Sequence, residues 1–269
     1  MRNIRLDGWL PHRCPRRMPH FVHHSHTLFY REQGRGPLLI ILPGNTASSA
    51  CYEGELEYFS RHYHAVSFDF QGTGSSERLE QWPDDWWEKA VYDVAGLIEH
   101  LGEERAVLVG TSGGAVIALL TAILLPKRAR AVVADSCLER YPAALLRMVV
   151  AERTQRTDRQ IAFWQLAHGD DWEQVVEADS ERLRHIAAQG DLDWAQGRLR
   201  KIACPTLLTA SLCDKSLPDV GQKLCRMAEQ IPHCRVFLMN AGEHPLMWSR
   251  RADFFPVCTY FLKDVLKNT

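Results

Sequence analysis

Ala106-Val107-Leu108-Val109-Gly110-Thr111-Ser112-Gly113-Gly114-Ala115-Val116-Ile117-Ala118-Leu119-Leu120 is the stretch whose reading decides the fold. Its first four residues are apolar and partly β-branched, which predicts a buried strand; the apolar run from Ala115 predicts a helix. Between them, Gly110-x-Ser112-x-Gly114 has the strand–turn–helix setting of a nucleophile elbow. The glycines have a mechanical reason. So sharp a turn forces the serine into an unfavourable backbone conformation, and its neighbours must be small to avoid clashes. The helix behind Ser112 aims its first N–H groups at negative charge that develops there. Ser112 is therefore the candidate nucleophile; the plain alternative is a tight glycine-rich turn with an incidental serine.

Outward from this point, short apolar runs recur: Leu38-Leu39-Ile40-Ile41-Leu42, Ala65-Val66-Ser67-Phe68, Ala131-Val132-Val133-Ala134, Thr206-Leu207-Leu208-Thr209 and Arg235-Val236-Phe237-Leu238. Unbroken runs of this length suit strands covered on both faces. Helical patterns at residues 86–101 and 115–125 alternate with them. The alternation predicts an α/β fold, a mostly parallel, doubly wound sheet with right-handed crossovers. Residues 21–31 read as one or two antiparallel strands ending at Gln33-Gly34-Arg35-Gly36. The rhythm breaks once. Between Ala134 and Thr206 no good strand candidate occurs, a gap far longer than a usual connection. Residues 142–194 are mostly helical in pattern. We expect a core of residues 1–135 and 201–269, with residues 136–200 a helical cap inserted over one end of the sheet. Leu145, Leu146, Met148, Phe163, Trp164 and Leu166 are available to wall a pocket there, and the cap is expected to govern substrate choice rather than chemistry.

A serine hydroxyl needs a base to take its proton. In folds with this elbow the partners follow in the order Ser, acid, His. Downstream lie His168, His185, His233 and His244. His168 and His185 fall in the insertion and read as solvated helix residues; His233 precedes the last strand. His244 follows that strand, where ligand chemistry gathers in open α/β sheets, and is the expected base. Asp214, after the preceding strand, is the expected acid, and Asp135 is its rival. The oxyanion should be met by the backbone N–H of Gly113 and by that of Asn45, in the loop Pro43-Gly44-Asn45-Thr46-Ala47-Ser48-Ser49. Asp69-Phe70-Gln71-Gly72-Thr73-Gly74-Ser75-Ser76 lacks the third glycine of a dinucleotide loop and reads as a structural turn beside the oxyanion loop.

Composition narrows the class. The 269 residues carry 32 Lys plus Arg against 33 Asp plus Glu, so no charge excess points to nucleic acid or an acidic membrane. No apolar run is long enough for a membrane span, and the start at Met1 shows no leader-like stretch. The eight cysteines form no CxxC pair, so reduced thiols in a cytoplasmic protein are expected. His20, His23, His24 and His26 crowd together without a Cys, Asp or Glu at ligand spacing. They read as the polar face of an edge strand rather than a metal site.

With these residues in place, the chain resembles the α/β-hydrolase superfamily over nearly its whole length. Leu42 through Ser48 resembles the oxyanion loop, Asp69 through Ser76 the turn after the next strand, and Gly110 through Gly114 the elbow. Cys204-Pro205-Thr206 through Asp214 resembles the acid strand, and Gly242-Glu243-His244 the histidine loop. Among capped members the layout is similar to valacyclovir-hydrolase-like esterases, through the helix opening at Trp86-Trp87 and the segment Arg251-Ala252-Asp253-Phe254-Phe255. Two departures stand out: Pro43-Gly44 replaces the usual His-Gly, and Gly113 stands where those esterases carry an acidic residue. The Asn45 loop also resembles haloalkane dehalogenases, but these need a carboxylate nucleophile, a part Ser112 cannot play. The resemblance implies hydrolysis of a carboxylic ester of a small molecule through an acyl-enzyme, with no cofactor. The same triad serves thioester, amide or carbon–carbon bond hydrolysis and cofactor-free perhydrolysis, and the fold also serves small-molecule receptors with little turnover.

Overall fold

Strand residues of alternating parity feed two separate apolar layers. Leu38, Ile40 and Leu42 belong to one buried cluster, Leu39 and Ile41 to the other. A strand can do this only when helices cover both faces of its sheet. The computed structural model describes residues 19–267 and has that architecture. The N-terminal start and Cys14 lie outside the described residues.

In chain order, β1 (His20–His23) and β2 (His26–Gln33) form an antiparallel hairpin, followed by β3 (Leu38–Leu42), α1 (Glu53–Phe59), β4 (His64–Phe68) and α2 (Trp86–His100). Then come β5 (Ala106–Thr111), α3 (Gly113–Leu124) and β6 (Ala129–Asp135). The insertion holds β7 (Arg140–Tyr141), α4 (Ala143–Arg153), α5 (Asp158–His168), α6 (Trp172–Gln189) and β8 (Leu192–Asp193). The chain closes with β9 (Thr206–Ser211), α7 (Val220–Gln230), β10 (Cys234–Met239), α8 (Leu246–Ser249) and α9 (Arg251–Leu266).

The large sheet has the order β1-β2-β4-β3-β5-β6-β9-β10. It is parallel from β4 to β10 and antiparallel only where β2 meets β1 and β4. Helices α2, α3 and α7 cover one face, and α1 and α9 the other. The protein is thus an α/β-hydrolase fold with a doubly wound, mostly parallel sheet. Every predicted strand is present, usually a residue or two longer. A fully buried aliphatic side chain such as Ile40 contributes about 1.5–3 kcal/mol, so the two layers dominate stability.

The insertion leaves after β6 and returns before β9, both of which end on the side where β5 delivers Ser112. At its neck β7 and β8 pair antiparallel, Arg140 opposite Asp193 and Tyr141 opposite Leu192. Two-residue strands have no periodicity to detect, so the sequence pattern shows only helix there. Leu145, Leu146, Leu183 and Ile186 join the apolar layer beneath α2 and α3. The histidine-rich stretch forms the edge hairpin, as expected. His24, however, sits in its turn rather than on a strand face: His24 and Ser25 both have left-handed backbones, at φ 45° and 70°. Among the described residues no group of three or more His, Cys, Asp or Glu is placed to hold a metal ion. Among them, too, no helix is long and apolar enough to cross a membrane.

Candidate active site

Ser112 sits between β5 and α3 with φ 53° and ψ −120°, the strained elbow conformation. Its amide donates to the Asp135 carbonyl at 2.8 Å, and its carbonyl accepts from Ala115 N at 3.0 Å. The turn needs small neighbours for contacts that can be named. A Cβ on Gly114 would strike the Leu42 carbonyl, and one on Gly113 would strike Asn45 Oδ1. The second contact explains a departure seen in the sequence: the Asn45 amide occupies the space that an acidic side chain at position 113 would need.

Asp214 and His244 meet as expected. His244 Nδ1 lies 2.7 Å from Asp214 Oδ2, and the Asp214 side chain is fully buried. Its other oxygen accepts from Ser216 N at 2.8 Å. A carboxylate here accepts a hydrogen bond from Nδ1–H, which keeps the proton on that nitrogen and leaves Nε2 as the free basic nitrogen of the ring. His244 lines the same cavity as Ser112. The rival acid has another task. Asp135 is buried and accepts from Thr209 Oγ1 at 2.6 Å and from Met247 N at 2.9 Å, fastening β6 to β9 and to α8, just after His244. Burial pushes its carboxyl up to about 6.

The loop after β3 is held on all sides. Asn45 Oδ1 accepts from Trp87 Nε1 at 3.0 Å, and Asn45 Nδ2 donates to Asp179 on α6 at 3.3 Å. Asp69 carries its two oxygens to Ser49 N, at 2.6 Å, and to Ser75 N, at 2.7 Å. Asp69 thereby ties the turn at 69–76 to the loop after β3.

One expectation fails here. His168 is not a solvated helix residue: it is buried, with Nδ1 accepting from Gly74 N at 2.9 Å and Nε2 3.0 Å from the Thr46 carbonyl. Burial pushes its pKa down to about 4, with Arg78 adding to the effect. It sits at the end of α5, and no local pattern marks a contact 122 residues away. His185 is exposed, paired with Asp84 at 2.9 Å, and His233 is exposed before β10.

The cavity over Ser112 measures about 650 Å³. Asn45, Ser112, Gly113 and His244 form its floor; Leu145, Leu146, Phe163 and Trp164 contribute wall. Met148 and Leu166, expected in that wall, face solvent at 41% and 61% exposure. Charge enters through Arg153, Arg159 and Lys215 on the positive side and Glu152 and Glu243 on the negative. Arg153 is 2.8 Å from Asp179, which also pairs with the fully buried Arg182 at 3.1 Å. Burial works against the Asp179 carboxylate, but the two guanidinium groups outweigh it and hold its pKa below the usual range.

The profile of the alpha/beta hydrolase family matches residues 39–257. The chain is 26% identical over 250 residues to (E)-2-((N-methylformamido)methylene)succinate hydrolase of Acinetobacter baylyi, covering 82% of this chain and 88% of that protein. It is 36% identical over 110 residues to 2-(acetamidomethylene)succinate hydrolase of Mesorhizobium japonicum, where the match spans 40% of this chain and 38% of that protein. Among solved structures, E-2-(acetamidomethylene)succinate hydrolase superposes with a TM-score of 0.72 at 21% identity, over 92% of this chain and 99% of the other. The meta-cleavage product hydrolase of Pseudomonas fluorescens superposes at 0.76 and 17% identity, over 91% and 97%. At these identities the superpositions speak for the fold.

Proposed function

The chain belongs to the alpha/beta hydrolase family, and from that premise we propose that it cleaves a carboxylic ester, or a related acyl substrate, through Ser112, His244 and Asp214. The observation that carries the reading is the 2.7 Å contact of His244 Nδ1 with a fully buried Asp214, on a ring that shares its cavity with the strained Ser112. In this reading His244 Nε2 takes the proton of Ser112 as Oγ attacks the acyl carbon. Asp214 keeps the required tautomer and stabilises the imidazolium. The backbone N–H groups of Gly113 and Asn45 meet the oxyanion. His244 then returns the proton to the leaving group, and water repeats the cycle on the acyl-enzyme.

Residues 136–200 act in this proposal as a cap, whose apolar wall excludes water and shapes the acyl pocket. We assign the substrate a carboxylate. Asp179 is one negative charge between two guanidinium groups, so the cluster keeps a net positive charge, and Arg153 brings it to the cavity. The two relatives described above are among several that match, and each is named for hydrolysis of a substituted succinate, a dicarboxylate, which supports that class.

Labelling with a small fluorophosphonate, read by intact mass, tests the chemistry. We expect one adduct, lost in Ser112→Ala, and steady turnover of short p-nitrophenyl esters. Stoichiometric ligand binding with neither labelling nor turnover would make the protein a receptor and overturn the reading.

A further inference from the structure

His168 touches nothing that reacts, yet both its ring nitrogens are spent on the strand-end loops around Ser112. A backbone N–H only donates, so the Gly74 amide requires a bare Nδ1; a carbonyl only accepts, so Thr46 requires a proton on Nε2. The partners thus define a neutral ring in one tautomer. The charged groups around it are Arg78 and Asp171, bonded to each other at 2.6 Å, and Asp69 under the same turn. Arg78 also reaches the His168 carbonyl at 3.3 Å and fastens the end of α5 to the turn.

The residue held in this way is Thr46. Its φ of 55° is a backbone region that a β-branched side chain rarely enters, and it persists only where its surroundings enforce it. Trp164, also on α5, donates from Nε1 to Thr46 Oγ1 at 3.3 Å. Thr46 directly follows Asn45, whose amide faces the oxyanion in the reading above. We propose that His168 is a positioning residue for the oxyanion loop: by tying Thr46 to the Gly74 turn, it keeps the Asn45 amide aimed at Ser112. The insertion then shares in the chemistry and does more than select substrates. This inference rests on the serine-hydrolase reading and extends it.

Displacing an oxyanion donor, rather than deleting it, is worth about 10- to 100-fold in rate. Three measurements on the full chain test the proposal: kcat and KM for p-nitrophenyl acetate, the rate of fluorophosphonate labelling, and the Ki of a small boronic acid. The boronate adduct of a serine is tetrahedral and places an oxygen where the oxyanion forms. His168→Ala should lower kcat and labelling about 10- to 100-fold, raise the boronate Ki by a similar factor and leave KM within about threefold. His168→Gln, which offers one acceptor and one donor, should recover most of the loss. A folded His168→Ala variant with wild-type kcat and Ki overturns the proposal; so does a loss confined to KM, which is the mark of a pocket wall. Should His168→Ala not fold, ring ¹⁵N NMR of the wild type decides. A neutral His168 with protonated Nε2 at pH 5.5 supports the proposal, and a ring titrating near 6.5 overturns it. If the wild type itself takes no label at Ser112, the hydrolase reading fails and takes this inference with it. Normal wild-type labelling with an unaffected His168→Ala removes this inference alone.

Discussion

Ser112, Asp214 and His244 differ in how much of their role local sequence reveals. Ser112 is marked by the strand, turn and helix that build its strain, all within fifteen residues. His244 and Asp214 are marked by position after consecutive strands, which works because a parallel sheet delivers its strand ends to one side. No local pattern exists for His168, whose partners lie in loops far away along the chain, and Asp179 pairs locally with Arg182 but gives no sign of its contact to Asn45 134 residues away. If the triad is as proposed, Ser112→Ala should lower kcat for any turned-over ester by about 10³ or more while the melting transition stays in place. The two candidate acids separate by the same logic. Asp214→Asn presents an N–H, or at best a weaker acceptor, to His244 Nδ1 and should cost about 10²- to 10⁴-fold in kcat. Asp135→Asn keeps one acceptor for Thr209 or Met247 and should cost much less in rate, its effect falling on stability instead. Steady-state kinetics of both variants beside thermal melts check the assignment, and a greater kinetic loss at Asp135 would reverse it.

At the scale of elements, central strands such as β3 were legible because burial on both faces leaves them almost wholly apolar, whereas the edge strand β10 carries Arg235 and Val236 to the surface. The β7–β8 neck was not legible, because a two-residue strand carries no pattern. The orientation of the insertion helices was half legible: Leu145, Leu146, Phe163 and Trp164 face inward, whereas Met148 and Leu166 look equally apolar in sequence but face water. The seam between α5 and the oxyanion loop has a pH signature. Histidine in an unfolded chain titrates near 6.5, while buried His168 is pushed down to about 4, so the unfolded chain takes the proton first. Its stabilisation is full above about 6.5 and fades as pH falls toward about 4. Asp135, pushed up to about 6 by burial, and Asp93, pushed up to about 7, act in the opposite sense over part of that window. The wild-type curve alone therefore mixes these effects, but the difference between wild type and His168→Gln isolates the histidine. That difference, from urea unfolding at pH 7 and pH 5, should shrink on the acid side by up to about 1.4 kcal/mol per pH unit. A difference independent of pH would mean that His168 is not held neutral.

Over the whole molecule, acidic and basic residues nearly cancel, with a net charge of −1, so long-range attraction cannot draw in an anionic substrate. The proposed selectivity for a carboxylate has to be local, and its source is Arg153, which lines the cavity and shares Asp179 with the fully buried Arg182 behind it. Removing Arg153 leaves a balanced Asp179–Arg182 pair rather than an orphaned charge, and the Asn45 contact to Asp179 survives. Arg153→Leu should therefore fold, keep its oxyanion loop and lose only the surplus charge. A charged hydrogen bond of this kind is worth about 1.5–3 kcal/mol, or roughly 10- to 100-fold. We predict that Arg153→Leu lowers kcat/KM for the mono-p-nitrophenyl ester of succinic acid by that factor, while kcat/KM for p-nitrophenyl butyrate, of the same chain length, changes less than about threefold. Because the attraction is short-ranged, the wild-type preference should persist in 150 mM salt, where the screening length is about 8 Å. Equal losses on both esters would show that Arg153 shapes the pocket without reading charge, and a preference that salt abolishes would move the recognition to the exposed Arg159 at the mouth of the cavity.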